Sequence, residues 1–318
     1  MRLSFIKCHG SGNDFPLIDA RGLAVDATAW PGIARALADR RGPVGGDGLL
    51  LLTEGDGDCA FGMRMFNSDG SEAETCLNGL RCVARLGFER LGIDAATVRL
   101  KTSRAAVARD TALAAGVVTI RETAGPADLD AAAWIAGLDG AQLVGQPLAA
   151  LPTSRAFTAV AMPNPHLVSF VDTIDDAELV AIGAVCETAP PWLPGRANVS
   201  FVARRGPTIL FVRTFERGVG LTDSCGSAMA ASAYAACLAG HVPFGAMLTI
   251  LNKGGLVRAR VEHDGMVSLS GNATFEWDGS AEIDTARGIA GAVTVAAHHN
   301  DEIAAWARVA EAASAPAG

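Results

Sequence analysis

Arg64, Phe66 and Cys76 recur as Arg213, Phe215 and Cys225 at a single spacing of 149 residues, and Asn13 and Asn164 stand 151 apart. The first copy reads MRMFNSDGSEAETCLNG and the second VRTFERGVGLTDSCGSA. Self-similarity at a fixed offset marks a duplicated unit, so two similar halves are expected rather than one continuous fold. At 318 residues and 50% apolar, the chain is long enough to bury a core in each half.

Local patterning agrees with that division. Alternating or apolar runs predict strands over Leu3 to Lys7, Gly48 to Thr53, Ala60 to Phe66, Val98 to Lys101 and Val117 to Arg121. Helical spacing appears at Trp30, Ile33 and Leu37, and again after Cys76. The segment Thr123 to Asp130, rich in Ala, Gly, Pro and Asp, is the expected boundary. Beyond it, strands are expected near Phe157 to Ala161, Leu167 to Val171, Val199 to Ala203 and Thr208 to Thr214, followed by an Ala-rich helix from Cys225 to Gly240. The tail from Asn300 carries Ile303, Trp306, Ala307 and Ala310 at amphipathic spacing. These signals place residues 1–124 with about 272–318 in one half and 125–271 in the other.

Charge and cysteine usage narrow the function. A formal net charge of −8, with 19% charged residues and no basic run, excludes the phosphate neutralisation that nucleic-acid binding needs. No signal-like or spanning apolar stretch is present, so a cytoplasmic protein without membrane attachment is expected. Seven cysteines in a chain of this size suggest reduced thiols rather than a disulfide framework.

The two repeated cysteines each follow polar residues and precede a helical pattern. A sulfur at a helix N-terminus meets unpaired N–H groups and the positive end of the helix dipole, which lower a thiol's pKa. The same N–H groups bind carboxylates. Twofold-related helix ends would flank the α-carbon of a bound amino acid with one sulfur on each face. One thiolate removing a proton and one thiol returning it inverts the centre, with no metal, pyridoxal or other cofactor. Taken singly, a cysteine before an Ala-rich helix is ordinarily a small buried residue. That reading is kept for Cys8, Cys59, Cys82, Cys186 and Cys237, and the shared place in the repeat sets Cys76 and Cys225 apart. A zinc site lacks close ligand pairs, and a Cys–His166 hydrolase pair leaves the second cysteine unused.

At these residues the chain resembles the diaminopimelate epimerase family. HGSGNDF, GGDGLLLL, FNSDGSEAETCLNGLRC, MPNPHLVSFVD, RANVSFV, FERGVG and SCGSAMAA occur in the family's order over residues 1–279. The resemblance implies an α+β fold of two pseudo-symmetric domains, each a curved, mostly antiparallel sheet around a central helix. It implies a cofactor-independent isomerase interconverting LL- and meso-diaminopimelate for lysine and cell-wall precursors, with Cys76 and Cys225 as acid and base. Leu77, Asn78, Gly226 and Ser227 would hold the reacting carboxylate. Asn13, Asn67, Asn164, Asn198, Glu216 and Arg217 would contact substrate, with His166 beside the reacting groups. A homodimer with Trp277 at the contact is implied as well. The sequence departs from the family pattern at Leu77, where glycine is usual, at Pro163, and at Gly48, where some members carry Gln. Leu77 keeps open the alternative of a racemase for another amino acid on the same scaffold. An amino acid binding protein with a degenerate site is the non-enzyme alternative.

Overall fold

The computed structural model describes residues 1–315. The first stretch runs β1 (Arg2–Gly10), β2 (Asn13–Asp19), α1 (Trp30–Ala38), β3 (Gly48–Glu54), β4 (Phe61–Asn67), β5 (Glu72–Ala73), α2 (Leu77–Leu91), β6 (Ala95–Arg99), β7 (Arg104–Arg109) and β8 (Thr119–Ala124). The second contains β9 (Gln146–Pro147), β10 (Ala156–Ala161), β11 (Pro165–Phe170), α3 (Asp176–Glu187), β12 (Asn198–Gly206), β13 (Ile209–Glu216), β14 (Gly220–Thr222), α4 (Gly226–Leu238), β15 (Met247–Asn252), β16 (Gly255–Val261) and β17 (Val267–Asn272). The chain ends with β18 (Thr274–Asp284), β19 (Ile289–His298) and α5 (Asn300–Ser314). The fold is α+β with strands predominating. Two compact units form: Met1–Glu122 with Ser270–Val309, and Thr123–Leu269 with the described residues 310–315.

In the first unit β1 pairs antiparallel with both β2 and β18, β18 pairs with β19, β2 runs parallel to β3, and β3 pairs antiparallel with β4. Helix α2 packs on β1, β2, β3, β4, β6 and β7, with Leu80, Val83, Leu86 and Phe88 buried among Leu50, Phe61 and Val98. A second apolar cluster, built on Trp30, Ile33, Leu37, Leu49, Phe66 and Ile283, holds α1 against the opposite face of β3 and β4. Alternation along β3 explains this: Leu50 and Leu52 join one cluster and Leu49 and Leu51 the other, so a strand covered on both faces is Leu throughout.

In the second unit β10 pairs antiparallel with β11, β11 parallel with β12, β12 antiparallel with β13, and β13 parallel with β15. Helix α4 packs on β10, β11, β12, β13, β15 and β16 and is buried on nearly every side. Its sequence, GSAMAASAYAACL, is accordingly small and apolar all round rather than amphipathic. Helix α3 starts at the Asp175 N-cap, whose carboxylate accepts from the Ala177 and Glu178 N–H groups.

The start of α2 is fixed by a buried ionic knot. Arg81, with no exposed surface, donates to the Glu122 carboxylate (2.7 Å), Asn78 Oδ1 (2.8 Å), Ser11 Oγ (3.1 Å) and the Asn272 carbonyl (3.0 Å). Burial lifts the Glu122 carboxyl to about 7, against the pull of Arg81. Gly10 lets the end of β1 reach this helix, since a Cβ there would stand 2.4 Å from the Asn78 carbonyl oxygen. Removing one member of a buried pair strands the other's charge. Glu122→Leu should therefore destabilise the protein by about 3–5 kcal/mol in chemical denaturation. A loss below about 1 kcal/mol would mean the pair is dispensable.

Candidate active site

Each candidate cysteine is the N-cap of a buried helix, in extended backbone before the first turn: Cys76 at φ −150° and ψ 104°, Cys225 at φ −129° and ψ 115°. The short strand pairings β4–β5 and β13–β14 deliver the chain to these two caps. In both places the first helical N–H groups point beyond the helix end.

In the first unit Cys76 is half-buried. Its sulfur accepts from the Gly79 N–H at 3.4 Å and stands 3.6 Å from Asn13 Oδ1. The Asn13 amide nitrogen donates to Asp47, whose other carboxylate oxygen pairs with Arg40 at 2.6 Å. Asn67 is held at the β4–β5 turn by its side-chain bond to Ser71 Oγ at 2.9 Å. Asn78 is turned inward, with its side-chain oxygen committed to Arg81, so its contribution at the helix end is its backbone. Leu77 opens α2, and its side chain packs on the apolar cluster under the helix. The side chain is partly buried there, at the margin of the cluster beside Cys76. Gly48 has no room for a side chain here, because a Cβ would lie 2.3 Å from the Phe66 carbonyl oxygen.

In the second unit Cys225 is buried, with Ser227 Oγ 3.5 Å from its sulfur. Burial pushes its thiol well above the ordinary value, and the neighbouring Glu216 charge pushes it further. The Ser227 hydroxyl and Ala228 N–H act in the opposite sense. This corrects the expectation that both helix ends lower their thiols' pKa: at Cys225 desolvation outweighs the helix N-terminus, and the sulfur holds its proton. Ser227 also contacts His166 Nε2 at 3.1 Å, and the same nitrogen lies 3.1 Å from Asn164 Oδ1. Asn198 accepts the Arg217 N–H at 2.9 Å, and Arg217 in turn donates to the Gly195 carbonyl at 3.0 Å. Among the described residues, the buried Asn198 Nδ2 and His166 Nδ1 have no hydrogen-bond partner. A buried unpaired amide donor is costly unless a ligand acceptor meets it. Cys225, Gly226, Ser227, His166, Asn164 and Glu216 thus share one neighbourhood, and Asn198 and Arg217 form a second contact pair in the same unit.

His166 is fully buried, and burial followed by the Arg217 charge lowers its pKa to about 3. Such an imidazole is a poor base for a thiol held above its usual pKa, which counts against a Cys–His hydrolase pair. The remaining five cysteines are buried free thiols, as their apolar settings had suggested. The sequence reading missed Asp47 and Arg81 as supports of the site. The first was signalled by the otherwise unexplained Gly-Gly-Asp turn, the second by a charge inside a helix otherwise reading as core.

Solved structures with the same fold include a phenazine biosynthesis protein of the PhzF family from Bacillus anthracis, with a TM-score of 0.66 at 13% identity, covering 89% of this chain and 100% of that one. A hydroxyproline epimerase from Agrobacterium vitis matches with a TM-score of 0.63 at 13% identity, covering 98% of each chain. These likenesses show a shared fold. In sequence, the diaminopimelate epimerase of Clostridium acetobutylicum is 37% identical over 290 residues, 89% of this chain and 87% of the relative. That of Enterococcus faecalis is 39% identical over 286 residues, 86% of this chain and 88% of the relative. The family model for diaminopimelate epimerase matches residues 5–109 and 158–276. The chain belongs to the diaminopimelate epimerase family, a family of isomerases.

The His166 setting yields a measurable signature. Its folded pKa lies below the unfolded value of about 6.5, so the stabilisation it allows is complete above that pH and is lost as the pH falls toward 3. The ring nitrogens should keep neutral-imidazole NMR shifts from pH 7 down to about 4. A titration centred near 6.5 would contradict this environment.

Proposed function

We propose that this chain interconverts LL- and meso-diaminopimelate by a 1,1-proton transfer without a cofactor, with Cys76 and Cys225 as the acid and base pair. The observation that carries the reading is that both cysteines are free thiols capping buried helices in a member of this family. Helix-end N–H groups at Leu77 and Asn78, and at Gly226 and Ser227, suit a carboxylate and stabilise the carbanion's developing charge on it. Cys225, which holds its proton, is suited to deliver it. Cys76, half-buried with the Gly79 N–H donated to its sulfur, is suited to be the thiolate that abstracts once a ligand ammonium takes the Asn13 oxygen to which its S–H otherwise donates. Reversal of roles runs the reaction backward, with Glu216 beside Cys225 as the local carboxylate.

Asn13, Asn67, Asn164, Asn198 and Arg217 supply the neutral amides and the single guanidinium fork that a second zwitterionic end requires. That set favours diaminopimelate over a monofunctional amino acid. Leu77 packs its partly buried side chain against the apolar cluster, which leaves its N–H at the helix end for the carboxylate. The pseudo-symmetric duplication belongs to this proposal, as do a cytoplasmic location and a homodimer with Trp277 at the contact. No helix among the described residues is long and apolar enough to cross a membrane. The Trp277 ring packs edge-on to Phe5 at 5.1 Å, at the margin of the first unit's second apolar cluster.

Cys76→Ala and Cys225→Ala should each lower kcat for LL-diaminopimelate by at least about 100-fold, the scale of one positioned acid or base, while circular dichroism stays unchanged. Near-normal turnover in either variant would refute the pair. Turnover of proline or histidine but not diaminopimelate by the unaltered enzyme would select the alternative substrate, and tight binding without proton exchange would select a binding protein.

A further inference from the structure

Asp47 lies in the GGDG turn before β3, and its place there is tightly specified. Its N–H donates to the Asp14 carbonyl at 2.8 Å, and the Gly46 N–H to the Ala38 carbonyl at 3.2 Å. Gly45 has φ +71°, a conformation that favours glycine, and a Cβ on Gly46 would stand 3.0 Å from the Asp14 carbonyl oxygen and from the Pro16 ring, a tight approach that glycine relieves. The carboxylate is divided between two duties. One oxygen accepts from Arg40 Nη2, and the other accepts from both the Asp14 N–H (3.2 Å) and the Asn13 side-chain amide.

A carboxylate accepts hydrogen bonds and cannot donate them. It therefore decides which end of the Asn13 amide faces it: the nitrogen turns to Asp47, and the carbonyl oxygen turns to Cys76, 3.6 Å from the sulfur. We propose that Asp47 is a positioning residue that locks Asn13 as a hydrogen-bond acceptor toward Cys76, and so makes this corner of the site select an ammonium group. The inference rests on the epimerase reading for its catalytic meaning, and its geometry stands on the Asp47–Asn13–Cys76 chain alone.

Two consequences follow from the fixed orientation. An S–H donating to Asn13 Oδ1 stabilises the thiol form of Cys76, whereas a flipped amide would donate to the thiolate and stabilise that form. A ligand ammonium that takes the same oxygen removes the acceptor from the thiol and favours the thiolate, whose proton passes to solvent. A carboxylate arriving at this oxygen meets only a lone pair. Other charged or titratable groups of the surrounding elements include Lys7, Cys8 and His9 on β1, Asp14 on β2, Arg40 after α1, Arg64 on β4, Glu72 on β5, Arg81 and Cys82 on α2, Glu276 on β18 and Glu302 on α5. Lys7 and Arg40 pair with Asp14, which leaves Asp47 as the carboxylate that holds Asn13.

The test is the pH profile of iodoacetamide labelling at Cys76, read by mass spectrometry on the tryptic peptide from Met65 to Arg81, which contains no other cysteine. In Asp47→Asn, Arg40 retains the remaining oxygen and the new amide nitrogen faces Asn13, so the Asn13 amide turns over. In Asp47→Ala the amide is released. Both variants should label Cys76 faster near neutral pH, by up to about tenfold for a shift of one pKa unit. In an Asn13→Ala background, or Asn13→Ser if that variant fails to fold, the same Asp47 substitutions should leave the profile unmoved. An equal shift in that background would show that the carboxylate acts through its charge alone, and no shift in either background would show that it does not hold the amide. Either result overturns the proposal, while the expected labelling shifts in a chain whose unaltered form does not epimerise diaminopimelate would count against the catalytic reading instead.

Discussion

A helix that begins inside a protein exposes N–H groups that must be answered, and at both candidate sites a cysteine sits where that answer is given. Ser, Thr, Asp or Asn is the usual N-cap, so sulfur at this position sacrifices some helix stability. The first unit makes up for it with Arg81, whose buried guanidinium holds Asn78, Ser11, Asn272 and Glu122 around the start of α2. The second does so by burying α4 among strands on almost every side. Rigid helix ends are what allow a weak acid such as a thiol to be placed for proton transfer at all.

The two sulfurs occupy equivalent places in their own units and yet differ in environment. Cys76 is half-buried beside neutral and ionic groups that orient an amide toward it. Cys225 is desolvated, with Glu216 adding negative charge beside it, and keeps its proton. A catalyst that removes a proton with one group and returns it with another benefits from this inequality, because identical surroundings would leave both thiols in the same state of protonation. His166, held neutral by burial, lies beside Ser227.

Much of this was legible in the sequence, for physical reasons that differ by element. β3 and β4 were visible because strands covered on both faces are written in Leu, Phe and Met, and α1 because Trp30, Ile33 and Leu37 keep helical spacing. β2 is not marked in the sequence because Pro16 interrupts it, and α3 is not marked because its start is the acidic run Asp175, Asp176 and Glu178 rather than an apolar periodicity. The strands β15 to β18 were hidden by glycine-rich, polar connections. At the site, the repeat exposed both cysteines, and family motifs exposed the asparagines. Neither could reveal that Asn78 turns its side chain inward to Arg81, since it sits in a motif whose exposed contribution is backbone. The raised pKa of Cys225 was equally out of reach, because it depends on how far the helix end is buried rather than on the cap itself.

The central claim is that two different thiols handle the two faces of one carbon. Its most direct measurement is the early isotope content of substrate and product when LL-diaminopimelate is turned over in deuterium oxide. The account predicts deuterium at the inverted carbon of the product, with recovered substrate nearly unlabelled in the first turnovers. Equal labelling of both from the outset would contradict it, because a single base would then be exchanging the proton from one side.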